Sequence, residues 1–387
     1  MNAPLTVAEL LANEDLRREE FPVTGRRVFL AHAAVCALPR RVAEAMAHAA
    51  LNGSLDDQET VFNYSAIQQT RERAAQLLGA QAEEIALVGP TSLGLSLVAG
   101  GLRFRRGDNI VIYHDDYPAN VYPWMALAEK GLRVRLLNVR GLGRIRPLEV
   151  LGQVDESTRL VALASCHFVS GWRLEVEALG RELRRLGIWF CLDAIQTLGA
   201  FPLSASAVDF LAADAHKWLL GPSGAGILYV RKELQDRLPP IIHGWHNVRC
   251  PNFVAQNQLE FRADARRYEA GTCHLAGLVG LHAALGLLLE VGVENIAAEI
   301  LRKRAWFVPA ALEKGWEVLH ADCPAANASG IITLTRPGQD LAALHAALAK
   351  AGVVTSLRAD RSGAQYLRLS PHFYNTDAEL SRVLELL

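Results

Sequence analysis

Between residues 84 and 230, short and almost wholly apolar runs alternate with stretches of helical spacing. The runs Glu84 to Val88, Asn109 to His114, Arg133 to Val139, Arg159 to Ala164, Ile188 to Asp193, Val208 to Ala212 and Gly226 to Val230 read as strands. Several are apolar at consecutive positions, the pattern of parallel strands covered on both faces. Between them, Val121 to Lys130 and Val176 to Leu186 show helical periodicity, the second with its charges on one face and ending at Gly187, a C-cap residue. Strands joined by crossover helices predict an α/β fold with a mainly parallel sheet. From about residue 275 the texture changes to a long apolar helix, a second helix carrying Arg302 to Arg304, smaller α+β units and an amphipathic tail. We therefore expect a large domain over 20–272 and a small domain built from 1–19 and 273–387.

Composition agrees with this division. The chain has 387 residues, 51% of them hydrophobic and 21% charged, enough for ordinary cores in two domains. Forty basic against forty-one acidic side chains leave a net charge of -1 and no dense basic run, which argues against nucleic acid as a partner. The apolar run Ala276 to Leu289 is shorter than the roughly 20 residues of a membrane span and is interrupted by His282. The opening MNAPLTVAELLANEDLRREE is acidic and amphipathic, unlike a secretory or transit segment, so no membrane association and a cytoplasmic location are expected. The six cysteines (Cys36, Cys166, Cys191, Cys250, Cys273, Cys323) form no close pair and are expected to remain thiols. His243 and His246 follow Pro239 and Pro240 in the loop-like stretch Leu238 to Pro251, and no metal site is expected there.

In parallel sheets, ligands sit beyond the carboxyl ends of the strands. The segment CLDAIQTLGAFPLSASAVDFLAADAHKWLLGPSGAGILYVR, Cys191 to Arg231, places Asp193 at one strand end and His216-Lys217 beyond the next, ahead of a Gly-rich turn at Gly221 to Gly226. A buried lysine with a carboxylate from a neighbouring strand can hold an aldehyde cofactor as a Schiff base and keep its ring nitrogen protonated. Earlier in the chain, Gly89-Pro90-Thr91-Ser92 joins a strand to the apolar helix Leu93 to Leu102. Free N–H groups and the helix dipole there suit a phosphate. The turn at Gly221 does not have the GxGxxG spacing of a dinucleotide site.

This segment, with VFLAHAAVCALPRRV, GPTSLGLSLVAGGL, DDYPANVYPW, RRYEAGT (Arg266 to Thr272) and YLRLSPHFYNT (Tyr366 to Thr376), resembles the class V aminotransferases and cysteine desulfurase-like enzymes. These are pyridoxal phosphate (PLP) enzymes of fold type I, so the resemblance implies a PLP-binding large domain with a mainly parallel seven-stranded sheet and a smaller α+β domain. It further implies that Lys217 binds the cofactor and shuttles the substrate α-proton, Asp193 pairs with the pyridinium nitrogen, Gln196 bonds the phenolic oxygen and Tyr117 stacks on the ring. Thr91, Ser92 and His216 would contact the phosphate. Thr272 would reach the phosphate of the opposite subunit, which implies a homodimer with sites at its interface. Arg368 would fork onto a substrate α-carboxylate, and His32 falls where relatives carry a substrate-side residue.

Two departures shape the functional expectation. Gly352 to Arg368 contains no cysteine to accept sulfur, so persulfide-forming desulfurase activity is not expected. Asp214 stands two residues before His216 where relatives often have serine, and an anion there should repel a phosphate unless His216 or another cation compensates. The resulting expectation is a PLP enzyme acting at the α-carbon of a small amino acid by transamination or β-elimination (C–S lyase type). The alternatives are an amino acid epimerase of the same family and a non-catalytic PLP-fold binding protein.

Overall fold

The computed structural model describes residues 4–387. Its strands are β1 (Val28–Phe29), β2 (Ile85–Val88), β3 (Asn109–Ile112), β4 (Arg133–Leu136), β5 (Thr158–Ala164), β6 (Trp189–Asp193), β7 (Phe210–Asp214), β8 (Gly226–Val230), β9 (Glu317–Val318), β10 (Ile332–Thr335), β11 (Val353–Val354), β12 (Ser356–Ala359) and β13 (Gln365–Leu369). The strands β2 to β8 form one seven-stranded sheet in the order β2-β8-β7-β6-β5-β3-β4. Only β8 runs antiparallel to its neighbours there; the other pairs are parallel. The expected α/β architecture is therefore the observed one.

The apolar runs of the central strands are explained by burial on both faces. Along β5, Val161 and Leu163 enter one core while Leu160 and Ala162 enter the other, the period-two alternation of a strand with two apolar sides. One core is closed by the helices Tyr64–Leu78 and Leu275–Val291, the other by Thr91–Gly101 and Trp124. The chain passes from β3 outward to β4, then returns to β5 and continues through β6 and β7 in the other direction. The segments leaving β3 and β5 diverge, which opens a crevice at their carboxyl ends.

A second, antiparallel sheet, β12-β13-β10-β9, has its own core with Phe307, Trp316, Leu369 and Leu380. Two boundary details differ from the expected division. Val28 and Leu30 belong to this small core, and β1 pairs in parallel with β11. Conversely, the helix Leu275–Val291 buries Leu278, Leu281, Leu285 and Leu288 in the large-domain core, so the small unit begins only within the following helix, Val293–Glu313. An apolar sequence cannot indicate which of two cores it enters.

The expected helix Val121 to Lys130 is divided into a short helix Tyr122–Met125 and a 3-10 stretch Ala126–Lys130, preceded by a 3-10 turn at Pro118–Asn120; Pro123 stands in the first turn of the short helix, where its missing N–H costs no ladder bond. Strand β7 runs two residues later than expected and so includes Asp214. Among the described residues, no single helix is long and apolar enough to cross a membrane.

Candidate active site

The carboxyl ends of β3, β5, β6 and β7 converge on Lys217. Its side chain is 6% exposed, and its ammonium nitrogen makes no hydrogen bond or ion pair among the described residues. Burial lowers its pKa to about 8, opposed by the nearby Asp193 charge and assisted by Arg368 and then Arg358. A neutral amine is therefore available near physiological pH, the requirement for a nucleophilic lysine. The segment carrying it is tightly folded: Leu220 N–H donates to the Lys217 carbonyl at 3.1 Å and Gly221 N–H to that of Ala215 at 2.9 Å. This turn holds buried Leu220 at φ 57, a left-handed conformation that costs a β-carbon residue about 1 kcal/mol or more. Gly199 (φ 92) permits the close approach, since a Cβ there would lie 2.6 Å from the Trp218 carbonyl oxygen.

Asp193 ends β6 directly across from Ala164 of β5. It accepts the Ile195 N–H at 3.0 Å, and burial pushes its carboxyl up to about 6, with that hydrogen bond and the Lys217 charge pulling the other way. A buried acid held near neutrality without a direct ion pair is ready for a cationic partner. Tyr117, in the segment after β3, has its ring centroid 5.1 Å from Lys217 Nζ and meets Phe168 edge-on at 5.3 Å.

Arg368 lies on β13 and is 1% exposed. One terminal nitrogen donates to the Phe168 carbonyl, while Nε and Nη2 are buried without a partner. That edge is the pair of parallel donors a carboxylate accepts bidentately, and leaving it unmatched costs more than a hydrogen bond returns. Arg358, which sequence reasoning missed, lies near enough to lower the pKa of both Lys217 and Arg368. The signal was available in the hairpin register: Ser356 faces Arg368 and Arg358 faces Tyr366, so period two puts both arginines on one face.

At the other end of the site, the helix Thr91–Gly101 starts after Pro90 with no side-chain cap. Its first N–H groups are free, as an anion site requires. The Thr91 hydroxyl accepts the Asp214 N–H at 2.9 Å and keeps its own proton to donate. Asp214 is engaged by its own segment. Its carboxylate accepts the N–H of Ala215 on one oxygen and that of Gly224 on both, and the second oxygen also lies 2.9 Å from His216 Nδ1.

The remaining expected residues are placed as follows. Gln196 donates to the Ala33 carbonyl at 3.1 Å and accepts from Trp218 Nε1 at 2.9 Å, leaving one amide proton free. Thr272 lines a separate cavity of about 350 Å3 with Asp57, Tyr64 and Trp245. His32 is fully buried; its Nδ1 bonds the Ser370 carbonyl at 2.8 Å and its Nε2 the Tyr374 hydroxyl at 2.7 Å. Neither nitrogen is left for a substrate, which corrects the expectation that His32 could face one.

A lysine amine without a partner, an uncapped helix start and a buried acid fit an anionic aromatic aldehyde. The model for aminotransferase class-V matches residues 28–383, so the chain belongs to that family. Its cofactor is pyridoxal phosphate and the protein is a PLP-dependent enzyme. A probable cysteine desulfurase of Methanothermobacter thermautotrophicus is 30% identical over 293 residues, covering 74% of this chain and 72% of that protein. A cysteine desulfurase of Escherichia coli is 31% identical over 308 residues, covering 74% and 75%. The apo structure of a cysteine desulfurase from Thermococcus onnurineus superposes with a TM-score of 0.87 at 25% identity, covering 100% of this chain and 98% of that one.

These similarities overturn the expectation that desulfurase activity is absent. A missing cysteine in one loop shows where an acceptor thiol does not stand. It does not bear on cleavage of the C–S bond, which belongs to the lysine and the cofactor.

Proposed function

We propose that the protein is a cysteine desulfurase-type enzyme, removing the sulfur of L-cysteine or a close β-thiol analogue and leaving alanine. The Cβ–S bond breaks, a proton takes the sulfur's place on carbon, and the sulfur joins a thiol acceptor as a persulfide, so that cysteine and thiol become alanine and persulfide. The single observation that carries the substrate class is the unpartnered Nε and Nη2 edge of buried Arg368, a socket for an α-carboxylate.

When bound, PLP supplies an aldehyde that condenses with amines and a ring that accepts electrons from Cα. The protein's own groups act around it. Lys217 is the amine nucleophile and, once free, the base that moves the α-proton; its lowered pKa supports both tasks. Asp193 would pair its carboxylate with the ring nitrogen of the cofactor and favour its protonated form, and Tyr117 would stack on the ring. Gln196 offers its free amide proton to the phenolic oxygen. Thr91, Ser92 and His216 serve the phosphate, with Thr272 contributed by a second copy in a homodimer.

The test is to load the purified protein with PLP, supply L-cysteine and dithiothreitol, and quantify alanine and sulfide. Equimolar alanine and sulfide are expected. Pyruvate in place of alanine, or keto acid without sulfur release, would overturn the reading.

A further inference from the structure

Asp116 is a buried acid that the reading above leaves unused. It follows β3 by four residues and is 6% exposed. Its carboxylate receives only donors: Tyr117 N–H at 2.8 Å, Ala164 N–H at 3.1 Å and the Asn120 side-chain amide at 3.1 Å. Asn120 in turn accepts from Trp124 Nε1 at 3.0 Å. No cation pairs with Asp116 among the described residues. Burial raises its pKa to about 7, and the next largest cause is the like charge of Asp193.

Burying a carboxylate without a counter-ion, beside a second acid, costs several kcal/mol and is a poor way to gain stability. Such an arrangement marks groups kept for a site. The hydrogen bonds specify the purpose. Asp116 ties the backbone of Tyr117 to Ala164, and Ala164 is the residue directly opposite Asp193 in the β5–β6 register. It also holds Asn120, and through it Trp124 in the core beneath the segment. The crevice between β3 and β5 is where their outgoing segments diverge; His167 just beyond β5 bonds the Asp115 carbonyl at 2.9 Å, but it is the Asp116 carboxylate that joins the Tyr117 backbone itself to the end of β5.

We infer that Asp116 is a positioning residue for Tyr117, fixing its ring over the site by pinning its backbone to the strand end beside Asp193. The inference rests on the PLP reading, in which Tyr117 covers the cofactor. It predicts that Asp116 contributes to cofactor binding only through Tyr117.

A double-mutant cycle on the PLP dissociation constant separates this from a general structural role. Apo protein would be titrated with PLP for the wild type, Asp116→Ala, Tyr117→Ala and the double variant. We expect Asp116→Ala to weaken binding about tenfold, Tyr117→Ala at least as much, and the double variant to be no weaker than Tyr117→Ala alone. Asp116→Asn keeps the volume and guards against a folding defect; it sets an N–H group against converging donors and should weaken binding nearly as much as Ala. Additive losses in the double variant, or unchanged binding in either Asp116 variant, would overturn the inference. A wild-type protein that failed to take up PLP would defeat the functional reading instead.

Discussion

Two clusters of polar side chains meet at Trp218, and they use similar residue types for opposite ends. On one side Lys217, Asp193 and Arg368 are buried with donors and acceptors unspent. On the other, His32, His372 and Tyr374 are equally buried and fully engaged. Tyr374 donates toward His32, His32 bonds Ser370, and His372 takes the Phe373 N–H while its Nε2 reaches the Trp218 carbonyl at 3.2 Å. Burial and chemical type therefore do not distinguish a site from its support. What separates them is the count of hydrogen-bonding positions left over once the protein has paired its own groups.

The sharpest way to break this comparison is to remove an unspent group. Lys217→Ala should lower turnover at least about a thousandfold, as loss of a covalent nucleophile does. Borohydride treatment followed by peptide mass mapping should mark Lys217 in the wild type only. Full turnover by the variant would place the reacting amine elsewhere.

Arg368→Lys comes next. An ammonium cannot reproduce the two parallel donors, and truncating one side of a buried charged pair costs about 2–5 kcal/mol. The KM for the amino acid should rise about 100-fold, with kcat changed far less, because the carboxylate is held alike before and during the reaction.

The engaged cluster should instead respond in stability. Burial depresses the His32 pKa to about 4 from the ordinary 6.5, and holds His372 well below it. The unfolded chain then takes up protons first, so stability is full above about pH 6.5 and drains as pH falls from there through about 4. Melting temperature measured across that window should fall steeply. His32→Gln, which keeps a donor and an acceptor but does not titrate, should lower stability near pH 7 by about 1–2 kcal/mol and flatten the acid slope. An unchanged slope would mean that protons enter elsewhere.

How much of this was readable in the chain follows the same division. The strand runs from Glu84 to Val230 and the lysine segment were legible because buried parallel strands need apolar positions and strand ends need polar ones. Lys217 and Asp193 were singled out by their places at strand ends and Arg368 by the family resemblance, and the fold buries all three near enough for both charges to act on Lys217. His32 was misjudged because only the folded chain shows Tyr374 and Ser370 taking both of its nitrogens. Asp116 was overlooked beside Tyr117, since in sequence it is one of two adjacent acids and nothing local says that one is buried. The domain boundary slipped at Leu275–Val291 because an apolar helix carries no mark of the core it will join.

The smallest expected effect separates those two acids. Asp115 is the solvent-side neighbour: Arg361, in the turn between β12 and β13, bonds its carboxylate at 2.5 Å and the His114 carbonyl at 2.6 Å, linking the small sheet to the segment after β3. Arg361 is 56% exposed, and exposed pairs contribute about 0.2–1 kcal/mol. The turn is also held without it, since Asp360 accepts the N–H groups of Ser362 and Ala364 and the Tyr366 hydroxyl. Arg361→Ala should therefore shift the melting temperature by no more than about 2 °C and leave the PLP dissociation constant unchanged. If PLP binding instead weakened as far as in Asp116→Ala, the Tyr117 segment would be held from the small domain, and the assignment of that task to Asp116 would fail.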